Sequence, residues 1–482
     1  MRALILTLPL VVVGLSTWWV LGESTPKTLP DAGVPQSCTA IVSREKLNGA
    51  TSCAAAACHN SNDFRQTKGN EYSIWATHDP HAQAYATLLK PESKEMVHTL
   101  HLKAAHEEQR CLACHGFDIP PNWRGEKLAK EAVREGVSCE QCHGGSEHWR
   151  STHYTTDTSR NGEEQKAKGM TATKDLATRV QVCASCHIGG ENREVNHDLI
   201  AAGHPRLLFE YTAYHDLMPR HWFEGGLGTD FEARAWLIGQ IASARAAVKL
   251  LQVRARRAAT NEVHAVWPEF AETSCYACHH DLEPNSWRQQ SGFDGRKPGE
   301  MPWNGWYTAM PKALLRINAP VPKPAAIDAQ IFDDLANLMR RPSPDAAAVV
   351  KAATEVLANL EQWLNQLQST STLLGDHGTV GRLTRRLIAD ATAGAEKAPP
   401  GQGTRFLKNM ADWDHATQTY LAIVALRQAE NDLRANPVSP HPPREQEDIR
   451  KFLEFGRRYD SPRDFTPSQF SKKLRAWSAP EQ

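Results

Sequence analysis

The sequence predicts a mainly α-helical protein, in which a region of loops and short helices is followed by an all-α helical bundle. Three observations predict this class. Cysteines and most histidines lie before residue 300, among loops such as GFDIPPNWRG that contain glycine and proline. The segment from Asp230 to Ala259 is rich in Ala, Leu and Arg, which favour a long helix with Asp230 as its cap. After the proline-rich stretch NAPVPKPAAI, which begins at Asn318, cysteine is absent and apolar residues recur with helical spacing.

The first element is an apolar segment, residues 1–22. It carries one positive charge, Arg2, and no charged residue from Ala3 to Gly22, which is typical of an export segment. Two alternatives stay open: a signal peptide cleaved before Glu23, or an uncleaved N-terminal anchor in the inner membrane. Both predict that the rest of the chain is periplasmic or otherwise extracytoplasmic.

Ten of the eleven cysteines then form five pairs, and a histidine directly follows each pair. Four pairs have the spacing C-x-x-C-H: CLACH at Cys111, CEQCH at Cys139, CASCH at Cys183 and CYACH at Cys275. This spacing is typical of covalent c-type haem attachment, in which both thiols bind the porphyrin and the histidine ligates iron. The alternative, a pair of zinc ribbons, needs no histidine after each cysteine pair. Chance would place all five histidines on the order of once in ten million.

The other pair lies in SCAAAACH, Ser52 to His59, where four alanines separate Cys53 from Cys58. The stretch is either a haem site with a longer loop or an Ala-rich helix that contains two thiols, and the four regular sites favour the former. We therefore expect five haems c, or four if the first site holds none. The predicted attachment cysteines are Cys53, Cys58, Cys111, Cys114, Cys139, Cys142, Cys183, Cys186, Cys275 and Cys278. The predicted proximal iron ligands are His59, His115, His143, His187 and His279.

These sites define a predicted pentahaem cytochrome c domain, residues 23–317, with loops and short helices around stacked haems. Thirteen further histidines lie before residue 300, whereas the whole chain has eight methionines. Histidine and methionine are the common sixth ligands of such irons. The excess of histidine predicts bis-histidine ligation and low reduction potentials.

Two stretches resemble the tetrahaem cytochrome c-554 family, whose members accept electrons from hydroxylamine oxidoreductase. They are IWATHDPHAQAYATL, which contains His81, and GVSCEQCHGGSEHWRSTH, which contains His153. The resemblance implies that His81 and His153 are distal haem ligands. It also implies that the second haem, at His115 here, is five-coordinate, although His98, His101 and His106 lie just upstream and could fill or line the site.

The chain departs from the tetrahaem pattern in its longer first loop, its fifth motif and its C-terminal helices. Between the fourth and fifth motifs, we predict His204, in a Gly-His-Pro turn, and His197 as further metal ligands. His215 and His221 are additional candidates, and holding a haem propionate is the alternative role for His221. Arg206 is also suited to pair with a propionate.

The third predicted part is the helical bundle, residues 318–482. Its sequence carries no catalytic motif, and a docking or assembly role for a larger complex is compatible with it. The predicted helices are Ala325 to Met339, Ala346 to Leu367, Gly378 to Lys397, Thr404 to Leu433 and Arg444 to Tyr459.

Taken together, these features predict a multihaem electron-transfer protein that works with redox partner proteins. The alternative is an oxidoreductase that acts on a small nitrogen or sulfur compound at an open haem. Formal net charge is zero, so nothing indicates nucleic-acid binding, but ionised propionates would make the haem-loaded protein acidic. Cys38, outside every pair, is interpreted as an unpaired buried thiol.

Overall fold

A computed structural model describes residues 47–61, 68–117, 127–155, 162–222, 230–279, 299–393, 413–433, 444–453 and 465–478. The predicted export segment, Cys38, His280 and His441 lie outside these ranges. Within them the protein is helical and contains no β-strand, which confirms the predicted mainly α class. None of the described helices is long and apolar enough to cross a membrane.

Among the described residues before 218 there are ten α-helices, all of twelve residues or fewer. They are α1 Glu71–His78, α2 Ala84–Thr87, α3 Pro91–Thr99, α4 Gln109–His115, α5 Lys127–Arg134, α6 Cys139–His143, α7 Gly162–Ala167, α8 Leu176–His187, α9 His197–Ala201 and α10 Tyr211–Leu217. Three of them end on a motif histidine. The residue after α6, Gly144, has φ +83°, and a Cβ there would lie 2.3 Å from the carbonyl oxygen of Gly169, so the helix stops where only glycine fits.

Helix α11, Phe231–Ala259, is the predicted long helix. Its middle turns are buried on nearly all sides, because α8 packs against it from the haem-motif region and helices from the C-terminal region cover the rest. The expected cap is wrong. The Asp230 carboxylate makes no hydrogen bond to its own helix and instead accepts one from the backbone N–H of Leu373, at 2.8 Å, which ties the helix start to the C-terminal region.

The C-terminal region contains α12 Ala309–Arg316, α13 Gln330–Met339, α14 Ala346–Ser369, α15 His377–Thr392, α16 Trp413–Asp432, α17 Arg444–Leu453 and α18 Pro467–Ser478. The predicted helices at α13 to α17 are present, although α13 begins five residues later than predicted and α15 ends before Lys397. Asp345 and Asp376 accept hydrogen bonds from first-turn N–H groups of α14 and α15, as helix N-caps do. Helix α18 was not predicted.

Hydrophobic residues before and after position 318, the predicted domain boundary, pack into common cores. The main core joins α8 and α11 to α13, α14 and α15, with Trp236 and Trp363 fully buried in it. A second core packs Tyr276, inside the fifth motif, against Trp306 and Trp413, whose rings stack with centres 6.0 Å apart. Helices from the C-terminal region therefore support the motif region directly; the boundary at residue 318 stays a prediction.

Candidate functional site

The five Cys-Cys-His motifs are presented by short helical turns. At α4, α6 and α8 the two cysteines are three residues apart and the histidine is four residues after the first cysteine, which places all three on one helix face. The fifth motif begins with a single 3₁₀ turn, Cys275–Ala277. Each motif thus brings two thiols and an imidazole to one side of its turn.

The first motif has a different shape. A 3₁₀ helix, Ala50–Cys53, ends before the alanines, and the carbonyl of Ala55 accepts hydrogen bonds from the N–H groups of Cys58 and His59, at 2.9 and 3.1 Å. The alanines therefore form an exposed turn, and the alternative of an Ala-rich helix is wrong. This turn carries the extra residues outward while keeping both cysteines near His59.

The motif cysteines are all free thiols. Cys58 and Cys278 are exposed, whereas the other eight are half-buried. Two zinc ribbons would need sets of four metal ligands. Among the described residues, no three Cys, His, Asp or Glu side chains surround a common metal position.

Thiols of different motifs lie side by side. Cys53 of the first motif lies beside Cys139 of the third, whose thiol lowers the pKa of Cys53. Cys114 of the second motif likewise lies beside Cys186 of the fourth. Burial, and then the nearby charges of the fourth-motif cysteines, raise the pKa of Cys142 to about 12. The first four motifs therefore meet in the order first, third, fourth, second.

A second histidine lies near four of the five motif histidines. Two imidazoles on opposite sides of one metal have ring centres roughly 6.2 Å apart, because each metal–nitrogen bond is about 2.0 Å and each ring centre lies about 1.1 Å behind its nitrogen. The observed distances are 6.0 Å for His59 and His153, 6.3 Å for His115 and His204, 5.9 Å for His187 and His81, and 6.4 Å for His279 and His197.

For His143, the third motif histidine, His221 lies near enough for its charge to act on the ring. The Nδ1 atoms of both residues are buried. Burial, followed by the nearby charge of His221, lowers the pKa of His143 to about 4. A neutral imidazole is the form that binds a metal. His221 was a candidate but not one of the residues assigned as ligands. The count of ligands gave no signal for it, since the resemblance implies one five-coordinate haem and four distal histidines were already predicted.

Hydrogen bonds at Nδ1 orient many of these rings. His59 donates to Oε2 of Glu71 at 3.0 Å, and His81 donates to Oδ1 of Asp79 at 2.8 Å. Backbone carbonyls of Ala84, Arg150 and Pro205 accept from His115, His153 and His204, at 3.2, 2.7 and 2.8 Å. A ring that donates from Nδ1 keeps the lone pair on Nε2 for a metal. The donor set therefore fits iron between paired imidazoles.

Other histidines near the motifs serve different contacts. The ring of His106 lies 6.5 Å from that of Tyr85, and His215 packs among Tyr211, Trp222 and Phe231. The position opposite His115 is taken by His204 rather than by His98, His101 or His106.

Arg206 pairs with a carboxylate of the chain itself, and its proposed contact with a propionate stays a prediction. Its guanidinium forms two hydrogen bonds with the carboxylate of Asp414 in α16, at 3.0 and 2.8 Å, and both side chains are buried. Burial opposes the charge, but Asp414 raises the pKa of Arg206 above its usual range. Cys275 of the fifth motif lies close enough for the Arg206 charge to act on it.

Comparison with known proteins gives one result for this region. No curated protein and no solved structure matches the chain. Residues 52–144, which contain the first three motifs together with His81, match the family model described as cytochrome c554 and c-prime. The predicted resemblance is thus confirmed over residues 52–144, and c-type haem binding and electron transfer are the properties that this similarity supports.

Proposed function

We propose that the chain is a periplasmic electron-transfer protein that holds five haems c, each between its motif histidine and a second histidine. The single observation that carries this proposal is the presence of a second imidazole beside four of the five motif histidines, at 5.9 to 6.4 Å between ring centres. The iron of such a haem supplies one-electron oxidation and reduction.

The second site decides between the carrier and the enzyme. The cytochrome c-554 resemblance predicts an open iron at His115, where a small substrate could bind. Here the ring of His204 lies 6.3 Å from that of His115, and its Nδ1 donates to the carbonyl of Pro205, which holds the ring in place. We infer that His204 closes this position, so that the site exchanges electrons and binds no substrate.

The chain's own contacts support short separations between sites. Paired thiols join the first site to the third and the second to the fourth, and charge contacts join the third to the fourth. Arg206, two residues beyond His204 of the second site, lies near Cys275 of the fifth. These contacts support a row in the order first, third, fourth, second, fifth.

The proposed partner and cellular location follow from the charge of the protein and from its predicted export. A formally neutral chain with ionised propionates is acidic, which favours a basic redox partner protein. Export would place the sites outside the cytoplasm, where c-type haem is attached in bacteria. The C-terminal helices, packed against α8, α11 and the fifth motif, would hold the sites at fixed positions.

Electron paramagnetic resonance of the oxidised, haem-loaded protein tests the ligation, and the mass of the mature chain counts the haems. We expect five haems and low-spin signals only. A high-spin signal that changes on adding nitric oxide would contradict the carrier and favour the enzyme, and a mass with four haems would remove the first site. His204→Ala should create one high-spin iron with covalent haem retained, whereas His98→Ala, at an exposed position upstream of the second motif, should leave the spectrum unchanged.

A further inference from the structure

The paired histidines differ in what accepts their Nδ1 hydrogen. Carboxylates accept at two sites: Glu71 at the first and Asp79 at the fourth, through His81. At the second site both acceptors are backbone carbonyls. Nδ1 of His143, at the third site, is buried and has no acceptor among the described residues. The sites therefore differ in whether a charged group is hydrogen-bonded to a proposed ligand.

Both carboxylates are held in place by other bonds. Asp79 is 1% exposed, and its Oδ1 also accepts from the backbone N–H of His81 at 2.9 Å. The second oxygen of Glu71 accepts from the N–H of Gly69 at 3.1 Å. Hydrogen bonds from the backbone therefore hold both carboxylates in place.

A carboxylate that accepts from Nδ1 makes the imidazole a stronger electron donor at Nε2. Stronger donation, together with a fixed negative charge nearby, favours the ferric over the ferrous state and lowers the reduction potential. A carbonyl does the same more weakly, and an imidazole without an acceptor lacks the effect.

We propose that Glu71 and Asp79 set the potentials along the row, making the first and fourth sites harder to reduce than the third, where electrons collect first. The inference rests on the proposed bis-histidine ligation. Glu71 and Asp79 are positioning residues, since each acts through an imidazole and neither contacts the iron.

The test is a redox titration of the haem-loaded protein, followed by visible absorption and by electron paramagnetic resonance, in Glu71→Gln and Asp79→Asn variants. Each amide keeps an acceptor oxygen and removes the charge. Each variant should raise the component of its own site by roughly tenfold in its reduction equilibrium, about 59 mV for one electron, and raise the third site's component by less, since the charges of Asp79 and Glu71 also act on His221. The double variant should raise the components of both sites by this amount.

Glu135→Gln is the matched control. Glu135 lies beside the first motif and accepts from the N–H of Ala50 at 2.9 Å, without touching a histidine. A shift in Glu135→Gln equal to that in Glu71→Gln would overturn the hydrogen-bond mechanism in favour of general charge. Unchanged potentials in both histidine-linked variants would overturn the inference altogether.

Haem content and spin state separate this inference from the proposed function. High-spin iron or missing haem in the unaltered protein would overturn the proposed ligation. Low-spin spectra and full haem content with unshifted potentials overturn only the role of the carboxylates. If Asp79→Asn does not fold because its side chain is buried, Glu71→Gln, at a side chain 24% exposed, tests the same claim.

Discussion

The ion pair between Arg206 and Asp414 offers a sharp test of how the C-terminal helices hold the motif region. Asp414→Asn removes the negative charge and keeps one acceptor oxygen. In the native chain both guanidinium nitrogens are bonded, at 3.0 and 2.8 Å, and the Asp414 side chain is 0% exposed while that of Arg206 is 10% exposed. The variant therefore leaves a buried cation without its counter-charge.

Removing one partner of a buried ion pair costs about 3–5 kcal/mol. Asp414→Asn keeps one acceptor oxygen, so its loss of unfolding free energy should be near the lower end, at about 3 kcal/mol. Asp414→Ala keeps none, so its loss should be about 5 kcal/mol. Loss of an acidic residue from the first turn of α16 adds about 0.3–1 kcal/mol. With a urea dependence of about 3 kcal/mol per molar, the midpoint should fall by about 1.2 M for Asn and about 1.9 M for Ala.

The assay is urea unfolding of the haem-loaded protein, followed by far-ultraviolet circular dichroism. Glu447→Gln is the control, because it breaks an exposed pair with Arg450 and should not move the midpoint measurably. The reasoning would be refuted by an Asp414→Asn midpoint equal to that of the control. Replacing both partners with apolar residues, Arg206→Met with Asp414→Leu, should recover most of the loss, since no unpaired charge then remains.

Three further predictions follow from other positions. His221→Ala should keep covalent haem yet yield a high-spin signal by electron paramagnetic resonance, whereas His148→Ala, at a side chain 57% exposed, should give the native spectrum; an unchanged His221→Ala spectrum would count against its ligand role. Gly144→Ala should destabilise the chain by more than about 2 kcal/mol, measured as a urea midpoint, because φ is +83° and the new Cβ would lie 2.3 Å from the Gly169 carbonyl oxygen. Burial raises the pKa of Glu210, so the folded state holds its proton more tightly than the unfolded state does. Its stability contribution is full below the unfolded value of about 4.3 and declines as pH rises toward the folded value; Glu210→Gln should flatten this decline in urea midpoints measured from pH 4 to pH 7, and an identical slope would contradict it.

Local patterns in the sequence were enough to predict the helices and the motifs. Helix α11 and helix α14 start within one residue of their predicted positions, because propensity and apolar spacing are properties of neighbouring residues. His81, His153, His204 and His197 each lie beside a motif histidine, although their role as ligands stays a prediction.

Contacts between distant residues were harder to predict. Arg206 and Asp414 are 208 residues apart in the chain, and nothing near either residue specifies the other. Asp230 has the sequence context of an N-cap, yet it bonds to Leu373, because the packing of α11 brings the two segments together. The role of Glu71 depends on the fold as well, since it follows His59 by twelve residues along the chain.

The exposed cysteines of the first and fifth motifs bear on where electrons would enter and leave the molecule. Among the described cysteines, Cys58 and Cys278 are exposed and belong to the two ends of the proposed row, while the cysteines of the three inner motifs are half-buried. Such a row would be covered by protein along its middle and accessible at its two ends. A partner protein could then exchange electrons at either end, while the inner sites would be shielded from oxidants in solution.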